Sequence, residues 1–295
     1  MTSRVFLGSC CLLGASMFGL GACKSKPSPA PVAVGSVTLP APIASSLPID
    51  PKIVSAAVNA NNEAPYTGPT GTISGIISVS GDPAPDMPEA VGKIPSDCAA
   101  AREMYGKLFR EGPARGLADV VVGVTGYKGY LPEEIPAQLA DASGCAWSSR
   151  TYVLTFGQSL DVRSRDSRPY VPDLMGAHLK AQLVAVPRGD AIHLYPEQPG
   201  RYQLTDSMRL FMLADVLVVK FPTHAVTGLD GKYVIARVPV GKVKVSALLP
   251  STMAQAEKEV EVHAGELVDV PLTLSFDRNA WDARRGGTAA PASSK

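Results

Sequence analysis

The sequence predicts an all-β protein built from two consecutive β-sandwich modules. Short runs rich in β-branched and aromatic residues recur along the chain, and residues 72–80 form one that ends at the turn signal Gly81-Asp82-Pro83. Glycine and proline, 27 and 26 of the 295 residues, separate these runs, whereas long helical patterns are few. Short strands with this punctuation are typical of sandwich folds.

The first 22 residues have the composition of an export signal. Arg4 is the one charge before an apolar run over residues 5–20, and this run is shorter than the roughly 20 residues that a membrane-spanning helix needs. The run leads into a Leu-Gly-Ala-Cys motif that ends at Cys23 and resembles the bacterial lipobox. The resemblance implies that residues 1–22 are removed and that Cys23 carries acyl chains. The alternative is an ordinary secretory signal that happens to contain a cysteine.

The same resemblance implies a location. Lys24, rather than an aspartate, follows the lipidated cysteine, which favours the outer membrane of the cell envelope, with the protein facing the periplasm or the cell surface. Its first partner would be the lipid bilayer, held through the Cys23 acyl chains.

Residues 23–70 and 277–295 are predicted to be disordered. The first segment is rich in Pro, Ala, Ser and Val, and Tyr66 is its only aromatic residue, so it buries too little apolar surface to offset the entropy of ordering. We expect an extended spacer there and a solvated tail at the carboxyl end.

Between these segments the pattern predicts one short helix and a series of strands. The helix is predicted over residues 97–110, where Ser96 or Asp97 provides a cap and the pairs Met104/Leu108 and Tyr105/Phe109 have i,i+4 spacing. The strands are predicted over residues 72–80, 117–124, 150–156, 160–164, 178–186, 209–220, 233–238, 242–249, 258–263 and 267–275.

Residues 223–276 carry the more specific turn signals. Asp230-Gly231 supplies the positive φ angles of a tight hairpin, and Gly241 does so for the next turn. This segment resembles the carboxypeptidase regulatory-like domains, which are small prealbumin-like sandwiches. The resemblance implies a structural or adhesive module without catalytic residues.

Residues 71–222 resemble a cupredoxin-like domain of the kind that is fused to such a module. The resemblance depends on the opening strand 71–80, on residues 116–122, and on the run from 144–147 to 157–163. It implies a copper site with two histidines, a cysteine and a methionine as ligands. Counting along the chain puts Tyr170 and Arg209 at the two histidine positions and Asp206 at the cysteine position. Met212 lies near the methionine position. A blue-copper centre needs two imidazoles and a thiolate, and no cysteine follows Cys145. We therefore predict a cupredoxin-like scaffold that has lost its metal and holds no cofactor.

Other chemistry-bearing patterns are weak. The four histidines are scattered, and none belongs to a metal-binding spacing. Asp173, Met175 and His178 remain a candidate for weak copper binding. Glu133 and Glu134 are adjacent, so their side chains are not expected to face each other across a cleft. No nucleophile elbow or phosphate loop is present, and we predict that the protein is not an enzyme.

Two cysteines remain in the folded region of an exported chain. Cys98 and Cys145 are expected to pair because the periplasm keeps thiols oxidised, and a bridge of this span stabilises a chain by about 4 kcal/mol in the chain-entropy model. Two buried free thiols are the alternative.

The leading functional hypothesis is a lipid-anchored envelope protein that acts as a non-catalytic binding or structural module for an unknown envelope protein or polysaccharide. A net charge of +1 argues against nucleic acid as a partner. One alternative is a periplasmic copper-binding or electron-transfer protein. Another is an accessory carbohydrate-binding module with a row of exposed aromatics, for which the candidates are Trp147, Tyr152, Tyr170, Tyr195 and Tyr202.

One loop is a candidate interaction surface. Residues 165–175 lie where the metal rim would be and are rich in Arg, Pro and Tyr. Within the loop, Arg168, Tyr170 and Asp173 are the residues expected to contact a partner.

Overall fold

The computed structural model describes residues 48–177 and 183–286. Within these residues the chain is predominantly β-strand, as the sequence predicts. Cys23 and the export signal lie outside the described residues. No helix in the described ranges is long and apolar enough to span a membrane.

One hydrophobic core, the Ile73 core, lies between two four-stranded sheets. One sheet has the order β12-β1-β15, with β16 also paired to β1, and the other has the order β11-β2-β13-β14. Alternate residues of each strand point inward, so that Ile73 and Ile77 of β1 face Val122 and Val124 of β2 across the core. The strands are β1 (Thr70–Gly81), β2 (Val121–Thr125), β11 (His224–Val226), β12 (Lys232–Pro239), β13 (Gly241–Leu249), β14 (Ala254–Val262), β15 (Leu267–Asp269) and β16 (Leu272–Phe276).

The other hydrophobic core, the Trp147 core, lies between two further sheets. Their orders are β5-β10-β9-β7 and β4-β3-β6-β8, and both sheets contribute buried residues to one cluster around Trp147. The strands are β3 (Ala137–Ser143), β4 (Ala146–Trp147), β5 (Thr151–Thr155), β6 (Ser159–Ser164), β7 (Pro172–Met175), β8 (Ile192–Leu194), β9 (Gly200–Asp206) and β10 (Arg209–Val219).

The boundary predicted at residue 222 does not separate these cores. β1 pairs with β12, β15 and β16, and β2 pairs with β11 and β13. The chain therefore begins the Ile73 core, leaves it to build the Trp147 core from β3 to β10, and then returns. The prediction of two consecutive modules over 71–222 and 223–276 is corrected accordingly, because the partners of β1 lie far along the chain and leave no local signal.

The predicted helix over residues 97–110 is shorter than expected. α3 (Ala99–Tyr105) begins after Cys98, which makes no side-chain cap hydrogen bond, and ends at Gly106. Tyr105 packs in the Trp147 core, whereas Phe109 packs in the Ile73 core. The pair Tyr105/Phe109 therefore does not form one helical face, and the chain crosses between the cores at this point. Another short helix, α2 (Pro88–Gly92), precedes it.

Two further helices lie where disorder was predicted. α1 (Pro51–Val58) is capped by Asp50, whose carboxylate accepts a hydrogen bond from the Lys52 backbone N–H at 2.8 Å, and Val54 packs against the Trp147 core. α4 (Arg278–Gly286) places Trp281 near the ring of Phe276, with 6.4 Å between ring centroids. The prediction of disorder is therefore wrong for these two stretches.

Candidate functional site

Three of the residues at the expected copper-ligand positions lie close together, but their side chains are not copper ligands of the blue-copper type. This rim cluster consists of Tyr170, Asp206 and Arg209 at one end of the Trp147 core. The Arg209 guanidinium lies 4.8 Å from the centroid of the Tyr170 ring, within the range of a cation–π contact. Arg209 Nη1 also lies 3.5 Å from Asp206 Oδ1.

The hydroxyl group of Tyr170 is fully engaged. Tyr170 is 0% exposed, and its hydroxyl accepts a hydrogen bond from the Cys145 backbone N–H at 3.2 Å and donates one to Asp166 Oδ2 at 2.9 Å. Burial raises the pKa of Tyr170 to about 12. The phenol therefore stays protonated at neutral pH.

The carboxylate of Asp206 is equally committed. Asp206 is 0% exposed, and it accepts hydrogen bonds from the backbone N–H groups of Val171 at 2.7 Å and Met208 at 3.0 Å. The first bond links the residue before β7 to the end of β9, and the second lies within the turn between β9 and β10. They satisfy the charge that burial would otherwise penalise.

The donor set of the rim cluster does not fit a type 1 copper ion. Such a site needs a thiolate and two imidazoles, whereas these positions hold a protonated phenol, a carboxylate bound to the backbone and a guanidinium. Met212, the fourth position, is buried in the Trp147 core. That the scaffold lacks copper in solution stays a prediction.

The predicted interaction loop is only partly at the surface. Arg168 pairs with Asp97 at 3.2 Å and with Asp166 at 3.5 Å, and Asp173 is half-buried on β7. Tyr170 belongs to the core, so its predicted role as a surface contact is wrong. An Arg- and Pro-rich context indicated exposure, but the backbone pairing of Tyr170 with Ala185 turns the ring inward.

The predicted disulfide between Cys98 and Cys145 is present. Gly144 and Cys145 form the two-residue turn between β3 and β4, and both have positive φ, at 59° and 64°, as tight hairpin turns require. The bridge therefore ties the start of α3 to the β3–β4 hairpin.

The aromatic residues considered for a carbohydrate-binding row are not an exposed row. Trp147, Tyr152, Tyr170 and Tyr202 are buried in the Trp147 core, and Tyr195 is half-buried. These aromatic residues lie far apart in the sequence because they belong to different strands, and the buried side chains point into the core.

Sequence reasoning missed a partly buried cluster between the two cores. The Thr155 hydroxyl lies 2.6 Å from Glu133 Oε2, to which it donates, and 3.0 Å from His224 Nε2. Burial lowers the pKa of His224 to about 4, although Glu133 acts in the opposite direction. Because Glu133 bonds the hydroxyl and not the imidazole, the cluster lacks the base-orienting contact of a catalytic triad. Glu134 faces elsewhere and pairs with Arg237 at 2.9 Å.

A second missed network is centred on Asp119. Its carboxylate accepts a bidentate pair of hydrogen bonds from Arg110 at 2.7 and 2.6 Å, and it also accepts bonds from Ser149 Oγ and the Arg150 backbone N–H at 3.0 and 2.9 Å. Asp119 precedes β2 of the Ile73 core, whereas Ser149 and Arg150 precede β5 of the Trp147 core. The network therefore joins the two cores.

No other grouping resembles a metal centre in the ranges that the structure describes, where no three His, Cys, Asp or Glu side chains are placed to share an ion. His178, a member of the candidate weak copper site with Asp173 and Met175, lies outside those ranges.

Comparison with known proteins gives limited similarity. No protein-family model matches the chain, and no curated protein sequence matches it. Among solved structures, an oxidised mutant of amicyanin matches at 19% identity and TM-score 0.25, covering 28% of this chain and 81% of amicyanin. Amicyanin from Paracoccus versutus (Thiobacillus versutus) matches at 13% identity and TM-score 0.22, and the match covers 29% of this chain and 85% of that amicyanin. The copper-containing nitrite reductase from Thermus scotoductus SA-01 matches at 12% identity and TM-score 0.25, and the match covers 32% of this chain and 24% of the reductase. These neighbours are cupredoxins, but TM-scores this low carry no conclusion about the present chain.

Proposed function

We propose that this chain is a lipid-anchored protein of the bacterial cell envelope whose folded part is a non-catalytic binding or structural module. The Leu-Gly-Ala-Cys motif ending at Cys23 supports the anchor. Lys24, directly after that cysteine, supports attachment to the outer membrane by the same resemblance. The acyl chains would hold the protein at the bilayer, while the two sandwiches meet an envelope protein or polysaccharide.

The observation that carries the non-catalytic part is the rim cluster. The buried polar groups of this cluster have hydrogen-bond or ion-pair partners, as the side chains of Tyr170, Asp206 and Arg209 show. The cluster therefore stabilises the end of the Trp147 core. Its phenol, carboxylate and guanidinium include neither the thiolate nor the imidazoles that a blue-copper centre needs. This favours binding or structure over electron transfer.

Replacing Cys23 tests the anchor. We expect Cys23→Ala to abolish incorporation of labelled palmitate, because the thiol that the motif places for acylation is gone. Cys11→Ala, inside the export signal, is the matched control and should leave the incorporation unchanged. Acylation of the Cys23→Ala chain, or an unmodified wild-type protein, would contradict the proposal.

Metal analysis of the purified mature chain tests the alternative of a copper protein. We expect less than stoichiometric copper after incubation with Cu²⁺ and no intense visible absorption, because the rim cluster offers neither thiolate nor imidazole. Stoichiometric copper with such a band would favour the electron-transfer alternative.

A further inference from the structure

A cavity of about 690 Å³ lies beside α3. Its volume is within the range of roughly 300–1,000 Å³ that small-molecule sites occupy. One wall is α3, the facing wall is the β3–β4 hairpin, and residues 106–111 with Leu229 close the remaining side.

The two facing walls are fixed to each other. Cys98 directly precedes α3 and Cys145 directly precedes β4, so the disulfide links the walls covalently. The Trp147 backbone N–H also donates a hydrogen bond of 3.1 Å to the hydroxyl oxygen of Tyr105 on α3. The two walls would therefore stay together when a ligand binds, so binding needs little ordering of the chain, which favours affinity.

The inner wall of the cavity is apolar, with one unusual polar atom. Met104, Phe109 and Trp147 contribute to it. Trp147 is 1% exposed, and its indole N–H has no acceptor within the described part of the chain. A buried donor without a partner is uncommon in folded proteins and costs free energy. The nitrogen is covered by its neighbours, so a ligand acceptor reaches it only if the wall shifts slightly.

The outer part of the cavity offers charges of both signs. Arg110 and Asp141 are held by ion-pair partners outside the cavity. Lys107, Glu103 and Asp86 are exposed and form no ion pair with any residue that the structure describes. Arg102 also lines the cavity, and its Nη2 donates to the Ile94 carbonyl at 2.9 Å without an ion pair in the described ranges. Two cations and two carboxylates are therefore available there.

We infer that this cavity binds a short zwitterionic peptide with apolar side chains. Its carboxylate would lie against Lys107, its ammonium group near Glu103 and Asp86, and its side chains on the wall of Met104 and Trp147. A peptide carbonyl is the acceptor that the indole N–H lacks. This inference depends on the proposed binding role but not on the lipid anchor.

The test uses residues 24–295, exported behind a non-lipoprotein signal so that no detergent competes for the cavity. Trp281→Phe leaves Trp147 as the only tryptophan, and its emission then reports the cavity. We expect the dipeptide Phe-Leu to change this emission saturably and to raise the melting temperature. The same dipeptide with an acetylated amino group and an amidated carboxyl group should bind roughly tenfold more weakly.

A matched pair of variants locates the site. Ser143 and Ser275 are both exposed serines on strands, but only Ser143 lines the cavity. Ser143→Phe should weaken Phe-Leu binding by roughly tenfold, and Ser275→Phe should leave it unchanged.

Three results would overturn the inference. The first is no saturable response from a chain whose disulfide and melting temperature are intact. The second is unchanged binding in Ser143→Phe, and the third is equal binding of the free and blocked dipeptides. None of these affects palmitate incorporation at Cys23, so a failure here is distinguishable from a failure of the anchor.

Discussion

At the scale of single residues, Tyr170 stabilises the rim cluster through its hydroxyl group. Tyr170→Phe keeps the ring under Arg209 but leaves the Cys145 N–H and one bond of Asp166 unmatched. We expect a loss of about 1–3 kcal/mol in the free energy of unfolding, measured by urea denaturation. Tyr130→Phe is the control, because the Tyr130 hydroxyl makes no hydrogen bond to a described residue. Equal stability of Tyr170→Phe and wild type would show that the hydroxyl contributes nothing.

His224 should make the stability depend on pH. Burial lowers its pKa from 6.5 to about 4 in the folded chain, so between these values the unfolded chain binds a proton that the folded chain does not. Above pH 6.5 the imidazole is neutral in both states and costs no stability. As the pH falls from 6.5 towards 4, the free energy of unfolding decreases by a total on the order of 3 kcal/mol. In His224→Gln, the free energy of unfolding measured by urea denaturation should depend less on pH between 4 and 6.5 than in wild type.

The exposed His263 provides the matched control for that measurement. His263→Gln should retain the wild-type dependence on pH, because His263 is solvent-exposed in the structure. A His224→Gln chain that loses stability on acidification as steeply as wild type would mean that other groups are responsible.

The residue scale also shows what local sequence can predict. The disulfide could be predicted from the expected oxidising compartment and the number of cysteines. The resemblance to cupredoxin-like domains identified the positions Tyr170, Asp206 and Arg209. Their contacts could not be named, because the burial of Tyr170 depends on its pairing with Ala185 and on Arg209 from a distant hairpin.

At the scale of elements, the disulfide fixes α3 to the β3–β4 hairpin across a separation of 47 residues. Replacing both cysteines by serine should lower the free energy of unfolding by about 4 kcal/mol, chiefly because the unfolded chain gains freedom. Urea denaturation measures the loss, and mass spectrometry after alkylation verifies the bridge in wild type. Alkylation of both thiols in unreduced wild type would contradict the bridge.

The helices show why composition misled at this scale. α1 lies in a Pro-rich segment, but Pro51 occupies the first turn, where its missing N–H costs nothing, and Asp50 caps the helix. α3 stops early because Phe109 is needed in the Ile73 core. Packing therefore decides both helix boundaries, and packing partners are invisible to a local pattern.

At the scale of the whole molecule, the sequence predicts the class of fold but not its connectivity. Alternating strands and Asp-Gly turns are sufficient for an all-β sandwich protein. The insertion of the Trp147 core between β2 and β11 depends on parallel pairing of β1 with β16, such as Ile77 with Leu272. Pairs so distant in the chain have no common local signal.

Asp119 is one of the residues through which the two cores contact each other, as are Thr155 and His224. Asp119 is buried and has a positive φ of 66°, a conformation that asparagine also tolerates. Asp119→Asn therefore removes the charge without straining the backbone. Arg110 is then left partly buried without its carboxylate, which typically costs about 3–5 kcal/mol.

We expect Asp119→Asn to lower stability by this amount and to split thermal unfolding into two transitions. The amide group replaces the oxygen that accepts from Arg110 Nε, and its neutral oxygen binds Ser149 and Arg150 more weakly than a carboxylate does. Calorimetry measures both effects. Asp215→Asn is the control: its partner Arg201 is half exposed, and such a pair contributes about 1 kcal/mol or less. A single transition with less than about 1 kcal/mol lost in Asp119→Asn would mean that the cores are coupled by their shared strand connections and not by this carboxylate.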